Sequence, residues 1–471
     1  MRAQPLLFAL ALLVCAPALA QDEEPAAPPP AADEAPADEA PADPAESDGP
    51  SDEAPAGEDA PAAPPSAREQ ALEERVRALE ERLNAVEGVT PTLPQEPPPP
   101  PEPGEDETQT GAAAILLNLA DRIELHGDVV GNYVWNTNDP PGPRKDRNLL
   151  RVSDPDHDTF GLVWTTLSLS RSLQDDAGWD WGFKAEFAAG RMVEETLSLD
   201  PQFNGGDEIN VGEAYAELQL PTPLRVRIRL GRAYGWFGTE SLHLGDSQLT
   251  TLSVLANFTP YTNTGLFVEV ELLEGLSYMQ YVGNGSEVVI DNNDAKTLGG
   301  RLSYQPLDTL SFALHWIWGA ERDDNVHDQR WQLELDVVFE PLEGTELYAM
   351  LHLGQEEGAA VNSAGVAKFG GGSLALRQGF LLEKDGAAEW HQLVFMARGT
   401  VYRDQGGANS GLDQTLSEVS LGVEFAPLQY VWVRGEWRLD TSSRKDAFFG
   451  KRGVRNRRHQ DTWTLAMGVK F

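Results

Sequence analysis

The sequence predicts an all-β membrane fold: a sixteen-stranded antiparallel transmembrane β-barrel, preceded by a disordered arm and a short coiled-coil helix. Three observations predict it. From Arg122 onward apolar and polar residues alternate with period two, the pattern of strands with one apolar and one wet face. The connections between these segments alternate between short and long. The chain also ends on such a segment, Asp461 to Phe471, where Trp463, Leu465, Met467, Val469 and Phe471 share a face.

Residues 1–20 read as an export signal, with Arg2, an apolar run from Leu6 to Val14, and an Ala18-Leu19-Ala20 cleavage site. The run is too short to span a bilayer as a helix. Cys15 is the only cysteine. Val14 before it does not suit lipoprotein processing, so ordinary cleavage is expected to remove the cysteine. Thiol catalysis, disulfides and thiolate metal sites go with it. Residues 21–65 are mostly Ala, Pro, Asp, Glu and Gly, too polar to bury a core, and are expected to be disordered. At roughly 3 Å per residue, an extended polyproline arm reaches on the order of 100 Å. Residues 21–110 hold 25 acids and 4 bases, a net of −21 in a chain of −39. Such an arm repels itself and argues against nucleic-acid binding.

Residues 66–88 change character. Ser66 and Glu69 make a capping box, and Leu72, Val76, Leu79, Leu83 and Val86 recur at heptad spacing. About two heptads are marginal alone, but they can add to a homo-oligomer, a trimer for instance, that the barrels already form. Residues 89–121 form a Pro-rich linker ending in a short apolar stretch, Ala112 to Ala120.

Residues 122–471 form the barrel. Seven short turns are expected near 174–178, 221–223, 273–275, 305–308, 340–344, 383–387 and 426–429, and eight longer connections alternate with them. Fifteen connections join sixteen strands, with the short turns expected in the periplasm and the long loops outside. Three turns share an aromatic followed by X-Pro-Leu, at Tyr304, Phe339 and Phe425, where proline presets the turn. In the third strand Trp179, Trp181, Phe183 and Phe187 oppose Asp180, Lys184 and Glu186. In the tenth, Trp331, Leu333, Leu335, Val337 and Phe339 oppose Gln332, Glu334 and Asp336. A solid core does not tolerate so many charges on the second face, whereas the aqueous lumen left by sixteen strands does. After the signal no run of eighteen apolar residues occurs, which excludes a helical membrane protein but not a barrel.

The pore-lining candidates come from the same alternation. Arg225, Arg227 and Arg229 alternate with Leu224, Val226, Ile228 and Leu230, and Arg232 follows. Glu213 and Glu217 on the preceding strand, with Lys184 and Glu186 on the third, are expected to face the lumen beside them. Two readings stay open: a transverse field that orients dipolar solutes, or mutual neutralisation in a wet wall. The connection from Arg232 to Tyr261 is too apolar to wave freely. It either folds into the barrel or packs as an external cap. Near 441–460, Arg444, Lys445, Lys451, Arg452, Arg455, Arg457 and Arg458 stand against the single acid Asp446. This external basic loop either meets anionic solutes and lipopolysaccharide phosphates or moves freely in solvent. Asp291 to Asp294 and Asp154 to Asp158 gather oxygen ligands, but without EF-hand spacing, and turn chemistry accounts for both. No histidine pair, nucleophile elbow or cofactor motif is present, so neither enzyme, metal nor cofactor is expected.

Several stretches resemble the β-barrel porin-2 (OmpL-like) family. Gly231 to Ser241 is similar to its G-x-x-x-x-x-x-G-x-E-S stretch, and Pro260 to Gly265 to its P-x-x-x-T-G segment. Val282-Gly283-Asn284-Gly285 with Asn292 to Arg301 resembles its V-x-N-G, N-N-x-K and G-G-R run. The resemblance covers roughly residues 120–471 and implies an outer-membrane diffusion channel with the solute unassigned. The aromatic end at Phe471 resembles the signal read by the barrel-assembly machinery. The expected function is passive diffusion of small hydrophilic solutes, in contact with outer-membrane lipid and lipopolysaccharide, with the arm in the periplasm. The alternatives are a channel selective for anions or sugars and a structural envelope tether that uses the arm.

Overall fold

The computed structural model describes residues 122–141, 147–174, 178–197, 209–363, 365–384 and 390–471, without the side chains of 382–384 and 390–391. The export signal, acidic arm, heptad segment and linker lie outside the described residues.

Sixteen antiparallel strands close into a barrel. They are β1 (Glu124–Asn136), β2 (Thr159–Arg171), β3 (Asp180–Ala189), β4 (Ile209–Gln219), β5 (Arg227–Tyr234), β6 (Thr262–Leu273), β7 (Leu276–Ser286), β8 (Thr297–Leu307), β9 (Leu310–Ala320), β10 (Gln329–Leu342), β11 (Thr345–Glu356), β12 (Ala367–Lys384), β13 (Trp390–Gln405), β14 (Gln414–Leu428), β15 (Val431–Ser442) and β18 (His459–Lys470). The remaining two strands, β16 (Phe448–Phe449) and β17 (Arg455–Arg457), pair as a small hairpin inside the last long connection. Each barrel strand pairs with its neighbour in the chain, and β1 pairs with β18 from Asp128 opposite Lys470 to Asn136 opposite Thr462. The seam continues one step further, where Gly127 and Phe471 exchange two main-chain hydrogen bonds of 2.9 Å. Closure satisfies every ladder, which an apolar surrounding demands.

Seven short connections define one rim and the long ones the other, as the sequence predicts. One detail differs. Pro306, Pro341 and Pro427 lie within β8, β10 and β14, not in the turns. At each the pairing register skips two residues, from Tyr304 to Leu307, Phe339 to Leu342 and Phe425 to Leu428. A bulge frees the proline, which has no N–H, from the ladder, and a two-residue turn follows.

The two faces invert the arrangement of a water-soluble protein. On β18, Trp463, Leu465 and Met467 are more than half exposed, while Thr462, Thr464 and Ala466 are buried. On β10, Leu333, Leu335 and Phe339 face out and Gln332, Glu334 and Asp336 are buried within. The outward band is apolar and the interior polar, as in a barrel that crosses a bilayer.

The interior is partly filled. A short helix, α1 (Arg191–Thr196), and the connection 235–261 fold into it. Leu244, Leu252 and Ala256 of that connection pack with Trp164, Met192, Trp432 and Ala466. Val254 and Leu255 pack with Tyr348, Tyr402, Leu416 and Phe448. Its apolar content therefore belongs to a core inside the barrel, and of the two destinations left open by sequence the structure takes the inward one.

Candidate functional site

The inserted segment 235–261 has no ladder partners for much of its backbone, and buried N–H and C=O groups need partners of some kind. The wall formed by β13, β14 and β15 supplies them. Alternation points Arg398, Glu418, Arg434, Glu436, Arg438 and Asp440 inward from these strands, and all six are buried. Glu436 accepts the N–H groups of Thr250 at 2.7 Å and Thr251 at 3.0 Å, together with the Thr251 hydroxyl. Glu418 accepts Val254 N–H at 2.8 Å. Arg398 donates to the Thr251 carbonyl and to Glu240, both at 2.8 Å, and to Glu418 at 2.7 Å. Arg438 donates to the Leu252 carbonyl and to Asp440, and Arg434 to the Leu244 carbonyl and Glu424. Arg151 of the first long connection joins Asp154 and Asp440. All of these charges but Glu436 have an opposite charge within 4 Å, and Glu418, Glu436, Arg398, Arg434 and Arg438 also bond the segment's backbone, conditions under which buried ions persist.

The opposite wall, β3 to β9, is less covered: Trp236 and Phe237 of the segment pack against Phe267, Tyr281 and Ile317, and Trp236 donates to the Gly300 carbonyl at 3.1 Å, but cavities remain beside its charges. Arg229 stacks on Tyr215 at 4.3 Å and reaches Glu217 at 3.4 Å. Arg227 donates to Gln219 at 3.4 Å. Lys184 lies 2.6 Å from Glu213 and 3.3 Å from Glu186, whose carboxylate also accepts the Tyr234 hydroxyl. Arg225 departs from the expected ladder. It precedes β5, in a turn with φ of 46°, and lies 3.3 Å from Glu271. Its side chain nevertheless lines the same cavity as Arg227. Arg232 is buried and donates to the Leu197 carbonyl just beyond α1. The eight predicted residues thus come together on one side of the interior. Where the cations among them pair, they meet neighbours along the wall, while Glu186 also lies 3.5 Å from His243 of the inserted segment.

Two cavities flank this wall. One of about 510 Å³ runs from Gly238 and Thr239 of the inserted segment to Gly275 and Gln305 at the short-turn rim. The other, of about 460 Å³, is lined by Lys184, Glu186, His243 and Lys470 and reaches Phe471. Between the walls, His315 lies 2.9 Å from Asp336 and His352 lies 3.0 Å from Glu334. The Phe237 ring of the inserted segment sits 5.7 Å from His315 and 6.2 Å from His352.

Sequence reasoning missed the five residues that hold the insert and Asp440, which pairs with Arg438 behind them. The signal was present: Arg434, Glu436, Arg438 and Asp440 alternate as the arginines of β5 do.

The basic loop is ordered by its β16–β17 hairpin, with Ala447 and Phe448 buried in the interior cluster. Arg444, Lys445, Lys451, Arg452, Arg457 and Arg458 are exposed and Arg455 is half-buried. Arg444 pairs with Asp446 at 3.1 Å, Lys451 lies 3.4 Å from Asp139, and Arg455 donates to the Ala447 carbonyl. Of the two oxygen-rich stretches, Asp154 is tied to Arg151, and Asp291 to Lys296 and Asn293. Among the described residues no group of three or more His, Cys, Asp or Glu side chains is placed to hold a metal ion.

The sequence profile of a family described as "Putative beta-barrel porin-2, OmpL-like" matches residues 122–471. No functionally curated protein matches the chain. The barrel is similar to an anion-selective porin from Comamonas acidovorans, at 12% identity and a TM-score of 0.50, over 74% of this chain and 99% of that one. It is similar to Pseudomonas putida OprB at 11% identity and a TM-score of 0.47, over 76% and 97%. The trimer form of Vibrio cholerae OmpT gives 10% identity and a TM-score of 0.46, over 74% and 99%. At these identities the likeness is one of fold.

Proposed function

We propose, from the premise that this chain belongs to the β-barrel porin-2, OmpL-like family, that it is an outer-membrane channel for passive diffusion of small hydrophilic solutes. One observation carries the mechanism. The inserted segment is bonded to the β13–β15 wall, and charged cavities remain beside it, one along β5 to β10 and one lined by β1 to β4 and the end of β18. Segment 235–261 narrows the lumen, and solutes move past it along the open wall. The charged lining biases passage without driving it, because nothing in a diffusion pathway couples to an energy source. In planar bilayers the full-length protein is expected to give steady, ohmic KCl conductance. A sealed membrane at saturating insertion would sink the channel reading.

Several finer statements belong to the same proposal. The short-turn rim faces the periplasm and the long-loop rim the exterior, which leaves the N-terminal arm in the periplasm. Arg225, Arg227, Arg229, Arg232, Glu213, Glu217, Lys184 and Glu186 line the passage or its walls. The exposed cations of the β16–β17 loop meet lipopolysaccharide phosphates, and outer-membrane lipid covers the apolar band. Phe471, paired at the seam and 58% exposed, serves as the end recognised by the barrel-assembly machinery. The barrel associates with copies of itself, a trimer being the assembly named for the OmpT structure. Analytical ultracentrifugation in detergent, with and without residues 66–88, tests the oligomer and the part that segment plays in it. A selective channel is the second reading, favoured by the arginines of the open wall, and the Comamonas porin is named as anion-selective. Reversal potential in a KCl gradient separates the two.

A further inference from the structure

The β6–β8 part of the open wall holds two charges that make no ion pair within 4 Å among the described residues. Glu269 on β6 and Arg301 on β8 both line the cavity of about 510 Å³ and the smaller one of about 110 Å³ beside it. Pairing places Glu269 opposite Met279 and Met279 opposite Arg301. All three therefore point inward in one row. Two inter-strand spacings, roughly 10 Å between Cα atoms, separate the carboxylate-bearing and guanidinium-bearing positions.

The other charges in this cavity have partners. Arg227 on β5 stands opposite Glu269 and donates to Gln219 at 3.4 Å, Arg225 lies 3.3 Å from Glu271, and His315 lies 2.9 Å from Asp336. Among the described residues, no carboxylate comes within 4 Å of Arg301 and no cation within 4 Å of Glu269. Arg301 is also held in a definite pose. Its Nε donates to Ser303 Oγ at 2.6 Å. This steadies the guanidinium plane and leaves the two terminal nitrogens, a fork that suits a carboxylate. Met279, with Phe267 beside it, supplies a short apolar floor between the charged ends.

Building on the channel reading above, we propose that this row is a subsite for small zwitterions of amino-acid or short-peptide size. The solute's carboxylate meets the Arg301 fork, its ammonium meets Glu269, and its body lies over Met279. A simple anion gains Arg301 but meets repulsion from Glu269, and a simple cation meets the reverse. An uncharged sugar gains neither ion pair. Because the row is wet, each contact contributes modestly, about fivefold or less in affinity.

The test uses the full-length protein in planar bilayers in KCl, with glycylglycine, N-acetylglycine and glycinamide added as zwitterion, anion and cation of similar size. Glycylglycine is expected to interrupt the current at roughly fivefold lower concentration than either singly charged probe. Glu269→Gln is expected to raise that concentration to the level of N-acetylglycine, and Arg301→Gln to the level of glycinamide. Equal block by all three probes on the unaltered protein would overturn the subsite without recourse to any variant. So would undiminished glycylglycine block in Glu269→Gln, the behaviour of a plain anion site. Normal KCl current without discrimination defeats the subsite alone, whereas no KCl current at all defeats the channel reading and the subsite with it.

Discussion

The β13–β15 wall and the β5–β8 wall are written in the same pattern, arginine and acid at every second residue, and the fold puts them to opposite uses. On the first, the Arg398 and Arg438 side chains are each 1% exposed and sit against Glu418 and the carbonyls of the inserted segment. On the second, the Arg225 and Arg229 side chains are 42% and 34% exposed. The difference comes from what stands in front of each wall. A chain segment with unpaired backbone groups covers β13–β15 and turns its charges into structural partners. Before β5–β8, Trp236 and Phe237 of the segment pack against Phe267 and Tyr281, but cavities of about 510 and 110 Å³ remain beside its charges. Alternating charge in a barrel strand thus marks the inward face, and the covering chain decides whether that face holds the inserted segment or borders a cavity.

The sharpest way to break the comparison is to remove a charge from the covered wall. Arg398→Ala leaves Glu240 and Glu418 buried without their shared cation, and breaking a buried pair costs about 3–5 kcal/mol. The insert is expected to come away from the wall, raising single-channel conductance severalfold and lowering the urea midpoint of the folded barrel. Unchanged conductance would show that the insert does not limit the passage. Glu436→Gln is milder. It keeps an acceptor for Thr250 and Thr251 but removes the charge that strengthens those bonds, a loss of about 1–2 kcal/mol. A noisier, flickering conductance without loss of the barrel is expected, read from current traces.

These variants also show what the sequence made legible. The alternation on β10 and β18, the seven short turns and the closing partner of the last strand follow from local patterns of two to ten residues. The proline bulges needed the register of a neighbouring strand. So did Arg225, which reads as a member of the β5 ladder until the turn conformation removes it. The destination of 235–261 was ambiguous because its leucines pack equally well against a lumen wall or over a rim. Its anchors, Glu418, Glu436 and Arg438, stand more than 150 residues further along the chain, and no local period links them to it. Helix α1 has six residues, below the length at which an apolar stripe repeats.

A pH series sharpens the comparison from the rim where the insert rejoins the barrel. Glu287, just beyond β7, accepts the Tyr261 N–H at 3.1 Å, at the end of the inserted segment. Its surroundings withdraw water from the carboxyl and push its pKa up to about 7, against smaller lowering effects from that hydrogen bond and from Arg330. A carboxyl raised in the folded state favours folding while it stays protonated, and that contribution fades as pH climbs from the ordinary glutamate range through about 7. Stability of the rim is therefore expected to fall by on the order of 1 kcal/mol across that window. Glu287→Gln is expected to flatten the profile. Urea midpoints of both proteins between pH 4 and 8 check this, and parallel profiles would remove Glu287 from the account.

The smallest effects belong to the open wall. Replacing Arg225, Arg227 and Arg229 together by Ala removes three partly exposed cations that sit beside Glu271, Gln219 and Glu217. Exposed pairs of this kind contribute about 1 kcal/mol or less each, so the barrel is expected to fold and conduct as before. What changes is the sign of the field along the passage, because Glu217, Glu269 and Glu271 then stand without those neighbours. Reversal potential in a tenfold KCl gradient is expected to move toward cation preference, by more at low ionic strength than at high, since the Debye length sets how far these carboxylates are felt. The same triple replacement leaves Arg398, Arg434 and Arg438 in place. A shift in selectivity without a shift in conductance would assign selection to the open wall and pore dimensions to the covered one. If both shift together, the two walls do not divide the work as their burial implies. If neither shifts, the arginines neutralise their neighbours and ions pass elsewhere.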